Sequence, residues 1–136
     1  GQGSFSKEEN KEPALININK MNSNLVNIYT SCSMNEKKLN LLISKIPNAK
    51  INKFSSALKF AAIASGDGCF YPRLGPTHEW DTAAGQCIVE EAGGIVVDKN
   101  MSRFRYNKND TYLNKEFFVI ADPKFNWKTI INQLCD

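Results

Sequence analysis

The sequence lacks the features that mark membrane-spanning, secreted and zinc-binding proteins. No run of about 18 consecutive apolar residues is present, so no transmembrane helix is expected. The first ten residues contain no apolar stretch of the kind found in signal peptides. His78 is the single histidine, and no two cysteines form a Cys-x-x-Cys pair, which argues against a structural zinc site. We therefore predict neither membrane association nor secretion.

Several general catalytic and nucleotide-binding motifs are also missing. The chain has no G-x-x-x-x-G-K-[ST] loop, no complete G-x-G-x-x-G and no G-x-S-x-G. A Ser-His-Asp triad would have to use His78, for which no carboxylate partner is evident from the sequence. Asp122-Pro123 begins like a phosphatase metal motif but continues with Lys124-Phe125, and it is interpreted as a turn.

The four cysteines favour a reducing compartment. Two of them lie in apolar runs, in GCFY around Cys69 and QCIV around Cys87, and the others are Cys32 and Cys135. Buried, reduced thiols are the expected state, and they indicate a cytoplasmic protein.

Length and composition predict one folded domain. The chain has 136 residues and a mass of 15.3 kDa, and 42% of the residues are hydrophobic, enough for a packed core. Seventeen basic residues against 14 acidic ones give a net charge of +3, which is not by itself a nucleic-acid signature. No nucleic-acid partner is predicted.

The polar opening of the chain differs in character from the remaining residues. Residues 1–24 are turn-prone, with a weak alternation at residues 14–18 that is typical of an edge strand. We interpret residues 1–24 as an entry segment, either an edge strand or a flexible arm. We expect that the sequence begins here partway along a longer polypeptide. Residues 25–136 are predicted to form an α/β domain.

Strand and helix patterns alternate in this second part. Ser33 is the predicted N-cap of the first helix, with Glu36 at the capping-box spacing. Gly93-Gly94 is predicted to end the third helix. The predicted strands are 25–30, 50–53, 68–71, 94–98 and 117–121. The four predicted helices lie between Ser33 and Pro47, between Ser55-Ser56 and Gly66, at 80–92 and at 125–134. This order predicts a sheet with helices on its faces.

The segment 71–85, YPRLGPTHEWDTAAG, is dense in unusual features. It is a Pro/Gly-rich loop that enters a helix, with Asp81 at the junction. One interpretation is that Asp81 caps the helix through its free backbone N–H groups. The other is that its carboxylate binds a hard cation such as Mg²⁺. The spacing alone does not decide between them.

Residues 80–94, WDTAAGQCIVEEAGG, resemble the second signature of the inositol monophosphatase superfamily, W-D-x-A-A-G followed after a helix by E-A-G-G. Residues 55–60, SSALKF, are similar to the G-S-[AS]-L-K-F segment of that superfamily. Residues 71–77, YPRLGPT, resemble its 3′(2′),5′-bisphosphate nucleotidase branch. The resemblance implies the carboxy-terminal part of a layered α/β sugar-phosphatase fold.

The resemblance also implies roles for individual residues. Asp81 matches the aspartate that binds a catalytic Mg²⁺ beside the substrate phosphate. Lys59 and Arg73 match basic positions that meet the second phosphate of a nucleoside bisphosphate, and the alternatives are a solvated lysine and a surface ion pair. Ser56 matches a serine near the sugar, or else caps a helix. Ser55 departs from the usual glycine, and His78 is expected to pack or hydrogen-bond within its loop.

The superfamily's remaining metal ligands come from an acidic helix and a D-P-[IL]-D-G-[ST] motif, and neither occurs in these residues. Both belong to the amino-terminal half of the superfamily's chains. The resemblance therefore implies the carboxy-terminal part of a Mg²⁺-dependent nucleotidase that hydrolyses 3′-phosphoadenosine 5′-phosphate, inactive without its missing half. The alternatives are an inositol- or sugar-phosphate phosphatase and a non-catalytic domain that binds nucleotide or a partner. Exposed apolar surface on such a part predicts self-association.

Overall fold

A five-stranded mixed sheet forms the centre of the protein. The structure is a computed structural model, and it describes residues 1–20 and 24–136. The strands are β1 (Ser4–Ser6), β2 (Ala14–Ile16), β3 (Val26–Thr30), β4 (Ala49–Lys53), β5 (Phe70–Arg73), β6 (Thr77–His78), β7 (Ile95–Val97), β8 (Leu113–Asn114) and β9 (Phe117–Ile120). The helices are α1 (Glu36–Lys45), α2 (Leu58–Ala64), α3 (Ala83–Glu91) and α4 (Trp127–Cys135), and a short 3₁₀ helix spans Glu79–Asp81. The predicted α/β class is confirmed.

The order of the central sheet is β4-β3-β5-β9-β7. β3 pairs in parallel with β4 and β5, whereas β9 pairs antiparallel with β5 and β7. All four residues of β9 are buried, which fits a central strand covered on both faces. The continuous apolar run of β9 therefore has a structural cause.

Alternate residues of the central strands enter two separate cores. Phe118 and Ile120 of β9 face α1 and α4, whereas Phe117 and Val119 face α2 and α3. Because side chains alternate along a strand, one strand contributes to both cores. The first core also contains Leu42, Phe70, Trp127 and Leu134, and the second contains Phe60, Ile63, Tyr71 and Val89. The result is a three-layer arrangement of helix pair, sheet and helix pair.

The predicted cap of the first helix is wrong. Asn35, not Ser33, precedes α1, and its Oδ1 accepts a hydrogen bond of 2.8 Å from the backbone N–H of Lys37. The Ser33 hydroxyl is instead 2.9 Å from that of Ser31. Both serine and asparagine are good caps, so the choice depended on the local turn rather than on residue type. The predicted end of the third helix is confirmed, because Gly93 follows α3 with a φ of +96°.

The opening of the chain contains a hairpin that packs on α3. β1 and β2 pair antiparallel, which agrees with the alternation seen at residues 14–18. The Ser4 hydroxyl donates to the carbonyl of Ile88 over 2.6 Å, and the N–H of Ile18 donates to Ala92 over 3.0 Å. Residues 21–23, within the predicted entry segment, lie outside the described residues, and the boundary after residue 24 stays a prediction.

The prediction that the cysteines are buried is wrong for three of the four. Cys69 is buried, but Cys32, Cys87 and Cys135 are exposed, although all four are free thiols as expected. Cys32 follows the end of β3, and Cys135 lies in the last turn of α4. Cys87 occupies an outward position of α3, so its apolar neighbours in sequence do not enclose it.

Within residues 1–20 and 24–136, no helix combines the length and the hydrophobicity that crossing a lipid bilayer requires.

Replacing Gly85 by alanine should destabilise the protein. A β-carbon at Gly85 would lie 2.5 Å from a ring carbon of Phe60, where α3 crosses α2. We expect the Gly85→Ala variant to lose about 1–2 kcal/mol in free energy of unfolding, measured with urea, because overpacking outweighs the helix propensity that alanine gains. Ala84→Ser changes an exposed neighbour and should alter stability by less than about 0.5 kcal/mol. Equal stability of Gly85→Ala and the parent protein would contradict this packing.

Candidate functional site

The four residues predicted for the site line one cleft. Ser56, Lys59, Arg73 and Asp81 surround a volume of about 380 Å³ between the start of α2, strand β5 and the 3₁₀ helix. The cleft is further lined by Ala57, Phe60, Tyr71, Thr77, Trp80 and Thr82. Three segments separated in sequence thus meet at one place, which satisfies the first requirement of a binding site.

Lys59 is buried at this cleft rather than solvated. Only 2% of its surface is exposed, and its Nζ donates to the carbonyls of Ser56 and Phe54 over 2.7 and 3.1 Å. The ammonium also lies 5.0 Å from the centre of the Tyr71 ring, a cation–π contact. Burial, followed by the positive charge of Arg73, lowers the pKa of Lys59. An ammonium has three donors, so one remains for an anion.

Ser56 adopts a left-handed backbone conformation with a φ of +64°. Its interpretation as a helix cap is wrong, because Ala57 is the residue that precedes α2 and no side chain caps that helix. The turn is strained for a residue other than glycine, and the bond from Lys59 to the Ser56 carbonyl holds it in place. The left-handed residue is therefore Ser56, one position after the Ser55 that replaces the usual glycine.

Arg73 stiffens its own loop. Its Nε donates to the carbonyl of Gly75 over 3.2 Å and its Nη2 to that of Pro76 over 2.9 Å. The expected alternative of a surface ion pair is not what the structure shows, since the partners are backbone carbonyls. A guanidinium has five N–H donors, so these two bonds leave several for a ligand.

Asp81 is exposed at the end of the 3₁₀ helix and does not cap the α-helix. Thr82 is the residue that precedes α3, and the Oδ2 of Asp81 accepts instead from the backbone N–H of His78 over 2.9 Å. Its Oδ1 makes no hydrogen bond with the described part of the chain. One carboxylate oxygen is thus fixed and the other is available to a ligand.

The donor set suits a hard cation only in part. A carboxylate oxygen is the ligand type that Mg²⁺ prefers. Over residues 1–20 and 24–136, however, no three histidine, cysteine, aspartate or glutamate side chains converge at one point. Asp81 therefore offers one ligand but not a complete metal site.

An aromatic cluster borders the cleft on one side. His78 stacks on Trp80 with ring centres 4.5 Å apart, and Tyr112 lies 5.7 Å from Trp80. This stacking agrees with the expected packing role of His78. The amide of Asn114 on β8 donates to the carbonyl of His78 over 2.9 Å and to the hydroxyl of Thr82 over 3.0 Å, and so holds the loop to the short β6–β8 sheet.

Sequence reasoning missed two features of the site. Tyr71 was noted only as part of a family motif, although its ring supports Lys59. The β6–β8 pairing was also missed, because two-residue strands give no periodic signal.

A larger cleft of about 600 Å³ lies elsewhere, between α3 and residues 103–108. Arg103 at its wall is paired with Glu90, its Nε lying 2.9 Å from a carboxylate oxygen, and Gln86 also bonds to Glu90 over 2.8 Å. Its charged groups thus partly satisfy one another. The smaller cleft is lined by Lys59, Arg73 and one carboxylate, Asp81, and its two cations bond to backbone carbonyls rather than to a carboxylate of the described residues.

Comparison with known proteins finds a matching family model and similar curated proteins. The family model described as the inositol monophosphatase family matches residues 1–135. The 3′(2′),5′-bisphosphate nucleotidase CysQ of Haemophilus influenzae is 29% identical over 135 residues, which are 94% of this chain and 48% of the relative. The protein of the same name from Shigella flexneri is 33% identical over 118 residues, or 87% of this chain and 47% of the relative. The chain spans about half the length of these curated relatives.

Solved structures share the fold. CysQ from Bacteroides thetaiotaomicron, described as a bacterial member of the inositol monophosphatase family, superposes with a TM-score of 0.71 and 25% identity. It is matched over 91% of this chain and 52% of its own. An inositol monophosphatase from Anabaena matches 96% of this chain and 53% of its own, with a TM-score of 0.67 and 17% identity, which supports the fold alone.

Alkaline pH should reveal the burial of Tyr71. Burial raises the pKa of its phenol from 10.0 to about 12, and the charge of Arg73 only partly opposes this. A raised pKa gives stability that is complete below pH 10 and is lost as the pH rises towards 12. Between pH 9 and pH 11.5 we expect the parent protein to lose about 2 kcal/mol more free energy of unfolding than Tyr71→Phe.

Urea titrations at the two pH values measure this difference. Phenylalanine keeps the ring beneath Lys59. All other groups that lose a proton at alkaline pH are the same in the parent protein and in Tyr71→Phe, so their effects cancel in the comparison. Tyr112→Phe, which alters an exposed tyrosine, is the matched control and should behave as the parent protein. Parallel pH profiles for the parent and Tyr71→Phe would show that the phenol is not buried.

Proposed function

Because the chain belongs to the inositol monophosphatase family, we propose that it is the carboxy-terminal part of a Mg²⁺-dependent 3′(2′),5′-bisphosphate nucleotidase. The parent reaction would hydrolyse 3′-phosphoadenosine 5′-phosphate to AMP and phosphate. The observation that carries the proposal is the cleft in which Lys59, Arg73 and Asp81 meet. The similarity to proteins named 3′(2′),5′-bisphosphate nucleotidase supports this substrate class.

In this proposal, two cations orient the nucleotide. A bisphosphate carries more negative charge than one metal site neutralises, and the cleft offers a buried ammonium and a guanidinium. Arg73 is already fixed by its two loop carbonyls, so its remaining donors are oriented before a phosphate binds. Lys59 would act as a point charge held at the base of the cleft. The Ser56 hydroxyl, which makes no hydrogen bond within the described ranges, would meet the sugar.

Asp81 is the proposed metal ligand. When bound, Mg²⁺ would neutralise phosphate charge and lower the pKa of a coordinated water. The protein's contribution is to fix one carboxylate oxygen through the N–H of His78 while the other remains free. The described residues supply this one ligand and no converging set of three, so the other ligands would come from the half of the family's chains that this chain does not span.

Two alternatives remain open to experiment. An inositol- or sugar-phosphate phosphatase would use the same fold, but a cleft with two cations and a single carboxylate favours a substrate with two phosphates. A non-catalytic domain that binds nucleotide or a partner is favoured by one observation, the single acidic group at the cleft.

Location in the cytoplasm is part of the proposal, and the four free thiols, all within the described ranges, support it.

The 136-residue chain alone should not turn over substrate. With only Asp81 to bind Mg²⁺, we expect no release of phosphate from 3′-phosphoadenosine 5′-phosphate above background at millimolar Mg²⁺. A phosphate-release assay measures this, with a complete curated relative as the positive control. Metal-dependent turnover by the purified chain would contradict the assignment of the missing ligands to another segment.

Binding without turnover tests the substrate class. We expect calorimetric titration of the chain to give tighter binding of 3′-phosphoadenosine 5′-phosphate than of AMP or inositol 1-phosphate. Arg73→Gln should weaken binding of the bisphosphate at least tenfold, because it removes a charge-assisted contact of about 1.4 kcal/mol or more.

Arg105→Gln provides the matched control. Arg105 is exposed and lies outside this cleft, so the variant should bind as the parent protein does. A preference for inositol 1-phosphate would favour the sugar-phosphatase alternative. An equal effect of the two arginine substitutions would argue against the proposed cleft.

A further inference from the structure

Residues 107–114, which we call the strap, hold the 3₁₀ helix that carries Asp81. The backbone N–H of Glu79 donates to the carbonyl of Tyr112 over 2.9 Å. The backbone N–H of Asn107 donates to a carboxylate oxygen of Glu79 over 2.7 Å. A 3₁₀ helix of one turn makes few hydrogen bonds of its own, so it depends on neighbouring segments for a fixed position. The strap is such a segment.

The side chain of Asn114, at the end of the strap, donates to oxygens on both sides of this 3₁₀ helix. Its Nδ2 lies 3.1 Å from the hydroxyl of Thr77, 2.9 Å from the carbonyl of His78 and 3.0 Å from the hydroxyl of Thr82. A primary amide has two N–H donors, so two of these three acceptors share one hydrogen. A single side chain thus ties together the residues that come before and after Asp81.

The acceptors determine which end of the Asn114 amide meets them. The carbonyl of His78 can only accept a hydrogen bond. The hydroxyl of Thr82, which is 2% exposed, donates its one hydrogen to the carbonyl of Glu79 over 3.1 Å, so it too can only accept from Asn114. An amide turned the other way, or an aspartate at this position, would place an oxygen against both of these oxygens. The position therefore requires a donor.

His78 connects the Asn114 amide to the carboxylate of Asp81. Its carbonyl accepts from Asn114, and its backbone N–H donates to the Oδ2 of Asp81 over 2.9 Å. Thr82, the residue that follows Asp81, is held by the same amide. Since both neighbours are fixed by one side chain, a shift of the carboxylate would strain or break a hydrogen bond to Asn114.

We propose that Asn114 is a positioning residue that fixes the Asp81 carboxylate for a divalent cation shared with a bound phosphate. Asn114 is not among the residues that line the cleft, so it acts through His78 and Thr82 rather than by touching a ligand. Mg²⁺ is commonly held by one or two carboxylates together with substrate phosphates and water. A carboxylate serves in this way only when its place is fixed to within about 0.5 Å. The inference rests on the proposed function for the cation and the phosphate.

Amide hydrogen exchange of the 136-residue chain tests the positioning without a ligand. Asn114→Leu keeps a similar side-chain volume and removes the donors. We expect exchange at the N–H of His78 to quicken at least about tenfold, because its bond to Asp81 loosens, while exchange at Phe117–Ile120 stays within about twofold. Unchanged exchange at His78 would overturn the proposal. So would equal acceleration at Phe117–Ile120, which would show that Asn114 supports the whole fold.

Calorimetric titration with 3′-phosphoadenosine 5′-phosphate, with and without millimolar Mg²⁺, tests the consequence for binding. We expect Mg²⁺ to tighten binding at least about fivefold in the parent protein and less than about twofold in Asn114→Leu. Without Mg²⁺ the two proteins should bind alike, because the bonds that hold Lys59 and Arg73 do not involve Asn114. An equal loss of affinity with and without Mg²⁺ would contradict a role through the cation.

Asn114→Asp and Asn109→Asp form a matched pair. Asn114→Asp replaces two donors by acceptors with almost no change in size, and it should remove the effect of Mg²⁺ as Asn114→Leu does. Asn109 is an exposed residue of the same strap, so Asn109→Asp adds the same charge nearby and should keep the effect of Mg²⁺. Loss of the effect in both variants would assign it to charge and overturn the proposal.

Failure of the proposed function has a different signature. A parent protein whose affinity is the same with and without Mg²⁺, or an Asp81→Asn variant that keeps the whole effect of Mg²⁺, would count against Asp81 as the metal ligand of a nucleotidase. The exchange experiment is independent of both results. Faster exchange at His78 in Asn114→Leu would then still support the positioning of the carboxylate by Asn114.

Discussion

The contacts of the Phe60 ring hold together the three segments that carry the cleft. The ring lies against Gly85 of α3, meets Tyr71 of β5 edge-on at 5.5 Å, and stacks on Phe117 of β9 at 5.8 Å. Because Gly85 has no side chain, α3 approaches α2 closely enough to bring Asp81 to the same cleft as Lys59. The distance between the acidic and basic groups is thus set by aromatic packing and not by attraction between the charges.

Burial of Lys59 without a carboxylate partner is the second constraint. Two carbonyls and the Tyr71 ring stabilise its ammonium, which leaves most of its positive charge uncompensated. Neutral partners favour the arrival of a ligand anion, because no protein carboxylate has to be displaced from the ammonium first. Burial is the largest cause of the lowered pKa of Lys59, and the positive charge of Arg73 is the second. An anionic ligand would relieve this condition, which connects the packing of the cleft to its proposed chemistry.

Most of what the sequence could predict came from its long apolar runs and from the motifs that it shares with the family. The run around Phe117 predicted a strand, although not its central place in the sheet, and the W-D-x-A-A-G motif led to Asp81. The cap at Asn35 and the exposure of Cys87 were not predictable in the same way. Neighbouring residues of similar capping preference compete, and a step of one or two residues along a helix changes which side a residue occupies. For Lys59, sequence predicted a basic residue at the site but not its burial, since burial depends on the loop that folds back over it.

The fold and the site depend on residues in different ways. Both cores of the central sheet are built within the described residues, since β5 and β9 supply alternate side chains to each. The strands and helices that form the sheet and its two cores therefore all belong to this chain. The cleft, by contrast, combines a single carboxylate with two cations, and a hydrolytic metal site of two ions requires several carboxylates. A polypeptide with these properties can form its own sheet and still depend on further ligands for chemistry.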